Sequence, residues 1–254
     1  MKIAIITGAS AGMGWEFARQ LDGTPEIDEM WLIARRRDRL QELANTLEHS
    51  RCRIFAIDLT DPEQTRALFD ALEEEKPDVS WLINNAGFGK IGPFDSVDVE
   101  TNLSMIDLNV RVLTEITQRA LPYCGAGSRI LQIASTAGFL PITNFSVYAA
   151  SKAYVLSLSN ALARELKPRG ITVTAVCPGP VQTEFLEAAS TNGSKMDAPD
   201  FVMAMADKVV RQAIADARKG RLNSVYGFSA KSLVSLTRIL PRHLALWATE
   251  RTYG

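Results

Sequence analysis

The chain has 254 residues, with 46% hydrophobic and 22% charged content, 16 Gly, 11 Pro and 3 Cys, values that exclude collagen-like, disulfide-scaffold and disordered classes. A formal net charge of −1 leaves no overall positive field to gather phosphate backbones, so nucleic acid is not an expected partner. One α/β domain over residues 1–254 accommodates the length.

Lys2 leads directly into Ile3-Ala4-Ile5-Ile6, without the series of charged region, apolar stretch and cleavage site that marks a secretory signal. No window approaches the roughly 18 uninterrupted apolar residues of a spanning helix. Cys52, Cys124 and Cys177 are odd in number and far apart, each in or beside an apolar segment. A cytoplasmic setting is expected, with the cysteines as small buried hydrophobes.

Short Ile- and Val-rich runs recur along the chain: Ile3 to Ile6, Met30 to Ile33, Ile54 to Ile57, Val79 to Ile83, Ile130 to Ala134 and Thr172 to Cys177. They are apolar without strict alternation, as parallel strands covered on both faces would be. Between them lie helical faces, such as Leu40, Leu43, Ala44 and Leu47, or Ala67, Leu68, Ala71 and Leu72. Strand alternating with helix predicts an open, doubly wound parallel sheet with right-handed crossovers. Two segments break the rhythm. Residues 184–200 are polar and turn-rich ahead of a helix expected near Pro199, and with the helix that follows they suggest a substrate lid over 184–218. In 229–254, Leu233, Leu236, Leu240, Leu244 and Trp247 recur at helical spacing around Pro241, as in an interrupted amphipathic helix.

Thr7-Gly8-Ala9-Ser10-Ala11-Gly12-Met13-Gly14 follows the first run and opens a helix. Glycines there let the backbone approach a pyrophosphate, whose charge the free N–H groups and helix dipole favour. Taken alone the turn is a weak signal, equally consistent with a tight connection that binds nothing. Further on come Asn84-Asn85-Ala86-Gly87, a lone Asn109, Ser135 after the fifth run, Tyr148 with Lys152, and Pro178-Gly179 with Thr183. In this order the set resembles the short-chain dehydrogenase/reductase family, over residues 1 to about 185. The resemblance implies a single Rossmann-like domain with about seven strands in the order 3-2-1-4-5-6-7. It also implies a dinucleotide held by Gly8, Ser10, Gly12, Met13, Gly14, Arg35, Asp58, Leu59, Asn85, Ala86, Gly87, Tyr148, Lys152, Pro178, Gly179, Val181 and Thr183.

The second run ends Ile33-Ala34-Arg35-Arg36-Arg37. An acidic residue near this point would hold the adenosine ribose hydroxyls, whereas Arg favours a 2′-phosphate. Ala34 stands where NAD-preferring relatives carry Asp, so NADP(H) is expected over NAD(H), chiefly through Arg35; Arg36 or Arg37 reads as a solvated helix start. Asp58 matches the adenine-contacting Asp of the family, or else caps the helix ahead of Pro62.

Tyr148 and Lys152 share a helical face by their spacing. An ammonium about 4 Å from a phenol, at an effective dielectric of about 20, favours the phenolate by up to roughly 4 kcal/mol, or about three pKa units before screening. Tyr148 is therefore expected to exchange protons near neutral pH, giving one to a carbonyl oxygen in reduction and taking it back in oxidation. Ser135 would steady the same oxygen. From the resemblance, Lys152 also reaches ribose hydroxyls, and Asn109 holds a water that feeds protons to Lys152. His49 and His243 read as solvated, and no cluster has metal-ligand spacing, so no metal is expected.

Apolar stretches at Phe88 to Phe94, Thr136 to Val147 and Phe185-Leu186 suggest a lipophilic carbonyl or alcohol: a hydroxysteroid, a 3-oxoacyl thioester or a ketone. The C-terminal segment is read as pocket cover or oligomer interface ahead of a membrane-surface helix, its basic face being thin. A homodimer or homotetramer follows from the resemblance. The competing reading is a non-catalytic NADP-binding sensor on the same fold, which needs the glycine turn but not the full Ser135, Tyr148, Lys152 and Asn109 set.

Overall fold

The computed structural model describes residues 1–189 and 203–237. Seven strands form one parallel sheet: β1 (Lys2–Thr7), β2 (Glu29–Ala34), β3 (Arg51–Ala56), β4 (Asp78–Asn84), β5 (Arg129–Ile133), β6 (Thr172–Val176) and β7 (Asn223–Ser224), in the order β3-β2-β1-β4-β5-β6-β7. Both faces are covered, which is why the strands read as continuous apolar runs. From β1, Ala4 and Ile6 point to one layer, built from α1 (Gly12–Leu21), α2 (Arg37–Thr46) and α8 (Ala206–Arg218). Ile3 and Ile5 point to the other, where α3 (Pro62–Glu75) and α5 (Leu113–Ala120) pack. Next to them α6 (Ser146–Glu165) sets Val155 and Leu156 against Ala134, Ala175 and Cys177.

Several expectations shift. The third strand begins at Arg51 and ends at Ala56, three residues ahead of the apolar run, because its first half is an edge alternating Arg51, Cys52 and Arg53. In α3 the buried face is Thr65, Leu68, Phe69, Ala71 and Leu72, with Ala67 exposed. Asp61, not Asp58, caps that helix, accepting from the Glu63 and Gln64 N–H groups. The stretch 206–218 is core and not lid: Val209, Val210, Ala213, Ile214 and Ala217 of α8 are buried, and its face packs on α1 and the sheet. Pro199, the expected start of that helix, lies outside the described residues, as do Leu240, Pro241, His243, Leu244 and Trp247.

β7 shows no apolar run because polar contacts hold it. The carboxylate of buried Asp216 accepts from Ser224 Oγ and Arg221 Nη1, both at 2.8 Å, which fastens the short strand to α8. Two shorter helices, α4 (Val99–Ile106) and α7 (Glu184–Ala189), and the terminal described helix α9 (Phe228–Thr237) lie around the carboxyl ends of the strands or beside them. Among the described residues no helix is long and apolar enough to cross a membrane.

Candidate active site

A cleft of about 1010 Å³ opens at the carboxyl ends of β1, β2, β4, β5 and β6. Gly8, Ser10, Gly12 and Met13 form one wall. Gly8 and Gly12 sit at φ +67° and +55°, a left-handed backbone that glycine adopts without a Cβ penalty. A Cβ on Gly8 would meet Asn85 Nδ2 at 2.7 Å. Thr7 and Asn85 hold this wall in place. The Asn85 and Ala86 N–H groups donate to Thr7 Oγ1, each at 2.9 Å, and Asn85 Nδ2 donates to the Thr7 and Gly8 carbonyls. Ala11 gives the first-turn N–H groups of α1 no side-chain acceptor, leaving that end suited to an anion.

The adenosine-side residues of the expected set stand together. Arg35, Asp58 and Leu59 line the cleft, and Arg35 Nη1 lies 3.9 Å from Asp58 Oδ2. Arg36 is the exposed N-cap of α2, as a solvated helix start would be, but its side chain also reaches back to the cleft. Its guanidinium reaches the Ser10 hydroxyl at 3.2 Å and Glu184 Oε2 at 2.8 Å. Arg37, the first residue of α2, lies off the cleft on a shallow surface with Gln41 and Cys52.

At the other end the groups are buried. Ser135 follows β5 and caps a short 3-10 turn, accepting from Ala137 N–H at 3.1 Å. Tyr148 and Lys152 project from the first turns of α6 into the same cleft, with the Lys152 amine 5.6 Å from the phenol ring centre. The expected acidification of Tyr148 does not hold: burial pushes its phenol up to about 12, against a hydrogen bond with Ser135 that pulls down. Burial also lowers the Lys152 amine to about 8, and its Nζ donates to the Ile133 carbonyl at 2.7 Å. Desolvation of each group, and not charge pairing between them, dominates both shifts. The Tyr148 ring is clamped by Phe145, stacked at 4.3 Å, and by Phe185 of α7 at 5.5 Å. Gly89 admits this packing, since a Cβ there would lie 2.7 Å from Phe145 and 2.9 Å from Tyr148.

The sequence of the chain matches the model of the short chain dehydrogenase family over residues 2–193. The chain belongs to that family. As a short-chain dehydrogenase it resembles sulfoacetaldehyde reductase 2 of Chromohalobacter salexigens, 36% identical over 191 residues that cover 72% of this chain and 74% of the relative. Its fold is similar to that of a Sphingobium yanoikuyae short-chain dehydrogenase in complex with NADPH, with TM-score 0.80, 29% identity and coverage of 95% and 97% of the two chains. A bulky-bulky ketone specific alcohol dehydrogenase from Comamonas testosteroni gives TM-score 0.75 and 25% identity over 94% and 92%.

Against this family frame, Asn85, Ala86, Gly87, Pro178, Gly179, Val181 and Thr183 all line the cleft. Gly14 and Asn109 stand behind its wall. A Cβ on Gly14 would lie 2.2 Å from the Gly8 carbonyl oxygen, so this glycine serves close packing of helix against turn. Asn109 is fully buried in a π-helical turn, Asp107–Val112, between α4 and α5. Its side chain accepts from Phe88 N–H and donates to the Phe88 carbonyl and Ser151 Oγ, so it clamps the strand exit beside Lys152. Nothing in the apolar pattern of 99–120 marks that π-turn. Asn84, the first residue of its motif, points down into a buried amide network with Thr117 and Gln132. Phe94 is 69% exposed and outside the cleft, while Leu233 of α9 lines it. Sequence reading overlooked Glu184 and the reach of Arg36, because contacts spanning 148 positions leave no local spacing. Among the described residues no His/Cys/Asp/Glu group is placed to hold a metal.

Proposed function

We propose that this short-chain dehydrogenase is an NADP(H)-dependent oxidoreductase that interconverts a lipophilic ketone and its secondary alcohol. The observation that carries this reading is a single cleft with an anion-binding turn and two arginines at one end and Ser135, Tyr148 and Lys152 at the other. The residues suit a dinucleotide: left-handed glycines make room, α1 offers N–H groups without a side-chain cap, and Arg35 and Arg36 supply positive charge where Asp would bar a 2′-phosphate.

A bound nicotinamide supplies and takes the hydride. Tyr148, kept protonated by its burial, donates the phenolic proton to the carbonyl oxygen as that oxygen gains charge. Ser135, adjoining the phenol, shares the load on that oxygen. Lys152, with its amine near 8, is positioned to stabilise the phenolate left behind. Asn109 holds the Gly87–Phe88 backbone that lies against Lys152. Burial that favours the neutral phenol fits the proton-donor role in reduction, and the phenolate so formed takes the proton back in oxidation.

Substrate choice follows from the lining. Ala137, Leu140, Ile142, Phe145, Phe185, Leu186 and Leu233 are apolar, and besides Arg35 and Arg36 only Lys152 is cationic among the described lining residues. A neutral, lipophilic ketone suits this end better than a sulfonate-bearing aldehyde. Exposed Val99, Leu103 and Ile106 on α4, with Tyr154 on α6, support a homodimer or homotetramer, and the reducing cytoplasm remains the proposed setting.

The test is Tyr148→Phe, assayed for NADPH binding by fluorescence titration and for turnover with neutral ketones and a sulfonated aldehyde. Binding should persist while ketone turnover falls by two to four orders of magnitude, on the order expected for losing a general acid. Retained turnover, or wild-type preference for the sulfonate, overturns the assignment.

A further inference from the structure

Arg36 is shared between the phosphate-binding turn and the helix that borders the substrate end. On one side it donates to the Ser10 hydroxyl at 3.2 Å and to the Ser10 carbonyl at 3.4 Å. On the other it forms an ion pair with Glu184 at 2.8 Å, the first residue of α7. The neighbouring residue presses on the same turn: a Cβ on Gly12 would lie 3.0 Å from Thr183 Cγ2. The next residue, Phe185, lies against the Tyr148 ring. Three consecutive side chains therefore touch the glycine turn, its arginine and the phenol.

Resting on the NADP(H) reading above, we infer that Glu184 is a specificity-determining residue: its carboxylate occupies Arg36, and an adenosine 2′-phosphate must take the guanidinium from it. Carboxylate and phosphate both suit the planar guanidinium fork, so the two compete for the same donors. A phosphate placed there also meets the negative charge of Glu184 across the cleft wall. Both effects weaken NADPH and leave NADH, which carries no 2′-phosphate, outside the competition. The cation thus favours NADPH and the facing acid limits how far.

The pair is half exposed, with 45% and 56% of the two side chains accessible, which keeps the effect modest. Glu184→Gln in the full-length protein should tighten NADPH by roughly fivefold, a value set by the exchange of a surface ion pair, with little change for NADH. Calorimetric or fluorescence titration of both dinucleotides reads this directly. Arg36→Ala should weaken NADPH more than NADH, and in that background Glu184→Gln should give no further gain. A general loosening of α7 would weaken both dinucleotides, so a selective gain distinguishes competition from damage. The inference is overturned if Glu184→Gln fails to tighten NADPH selectively, or if the gain persists without Arg36. Equal effects of Arg36→Ala on both dinucleotides strike instead at the NADP(H) reading on which it rests.

Discussion

The two ends of the cleft are built on different electrostatics. At the glycine-turn end the charges are wet: Arg35 is 80% exposed and faces Asp58 at 3.9 Å, so each contact there is screened and adjustable. At the α6 end Tyr148 and Lys152 are buried, and desolvation moves the first up to about 12 and the second down to about 8. In the proposed function, a ligand's charge would be recognised where it stays hydrated, and protons would be managed where water is excluded. The lesson is that the same helical spacing that suggested an acidified phenol yields a protonated one once both groups leave water.

This contrast can be broken from the buried end first. Lys152→Met keeps the volume and removes the amine, and ketone reduction should fall on the order of a hundredfold. Wild-type kcat/KM for reduction should decline as pH rises through about 8, where the amine loses its proton and its support for phenolate, and that limb should vanish in the variant. A flat wild-type profile between pH 7 and 9 would assign the amine a merely structural place. The packing behind the glycine turn is probed by Gly14→Ala, whose new Cβ would strike the Gly8 carbonyl at 2.2 Å. Denaturant unfolding should show a loss of about 1–3 kcal/mol together with weaker binding of both dinucleotides.

At the exposed end the effects shrink. Arg35→Ala should weaken NADPH by roughly tenfold and NADH by far less, the low end for a charge-assisted contact because the guanidinium is solvated. Equal losses in a paired titration would remove Arg35 from phosphate recognition. The smallest effect lies away from the cleft. Burial raises the Asp22 carboxyl pKa, but the Glu48 and Ser50 N–H groups and the His49 side chain more than offset this and hold it at about 2, below its usual 3.8. A carboxyl lowered by folding contributes stability above the unfolded value, lost as pH falls from about 4 through about 2. Asp22→Asn should cost about 1 kcal/mol at pH 7 after screening, and little at pH 2, in paired unfolding curves.

Much of the fold was legible along the chain, for a physical reason. A strand covered on both faces must be apolar throughout, so six strands announce themselves in Ile and Val runs, and the glycine turn announces itself because Gly8 and Gly12 require left-handed backbone. The seventh strand did not, since Asn223 and Ser224 are held by Asp216 and not by hydrophobic burial. α8 was mistaken for lid because the polar stretch before it masks an amphipathic face that fills the core against α1.

The amino-acid order by itself determined the strand-helix alternation, the motif set and the pairing of Tyr148 with Lys152 on one helical face, because these depend on local period and steric need. Tertiary structure decided what those groups are chemically: that burial favours the neutral phenol, that Asn109 clamps Phe88 from a π-turn, and that Arg36 is shared between Ser10 and Glu184. Burial, dielectric and contacts between residues distant in the chain exist only after folding, and they set proton affinity and charge pairing.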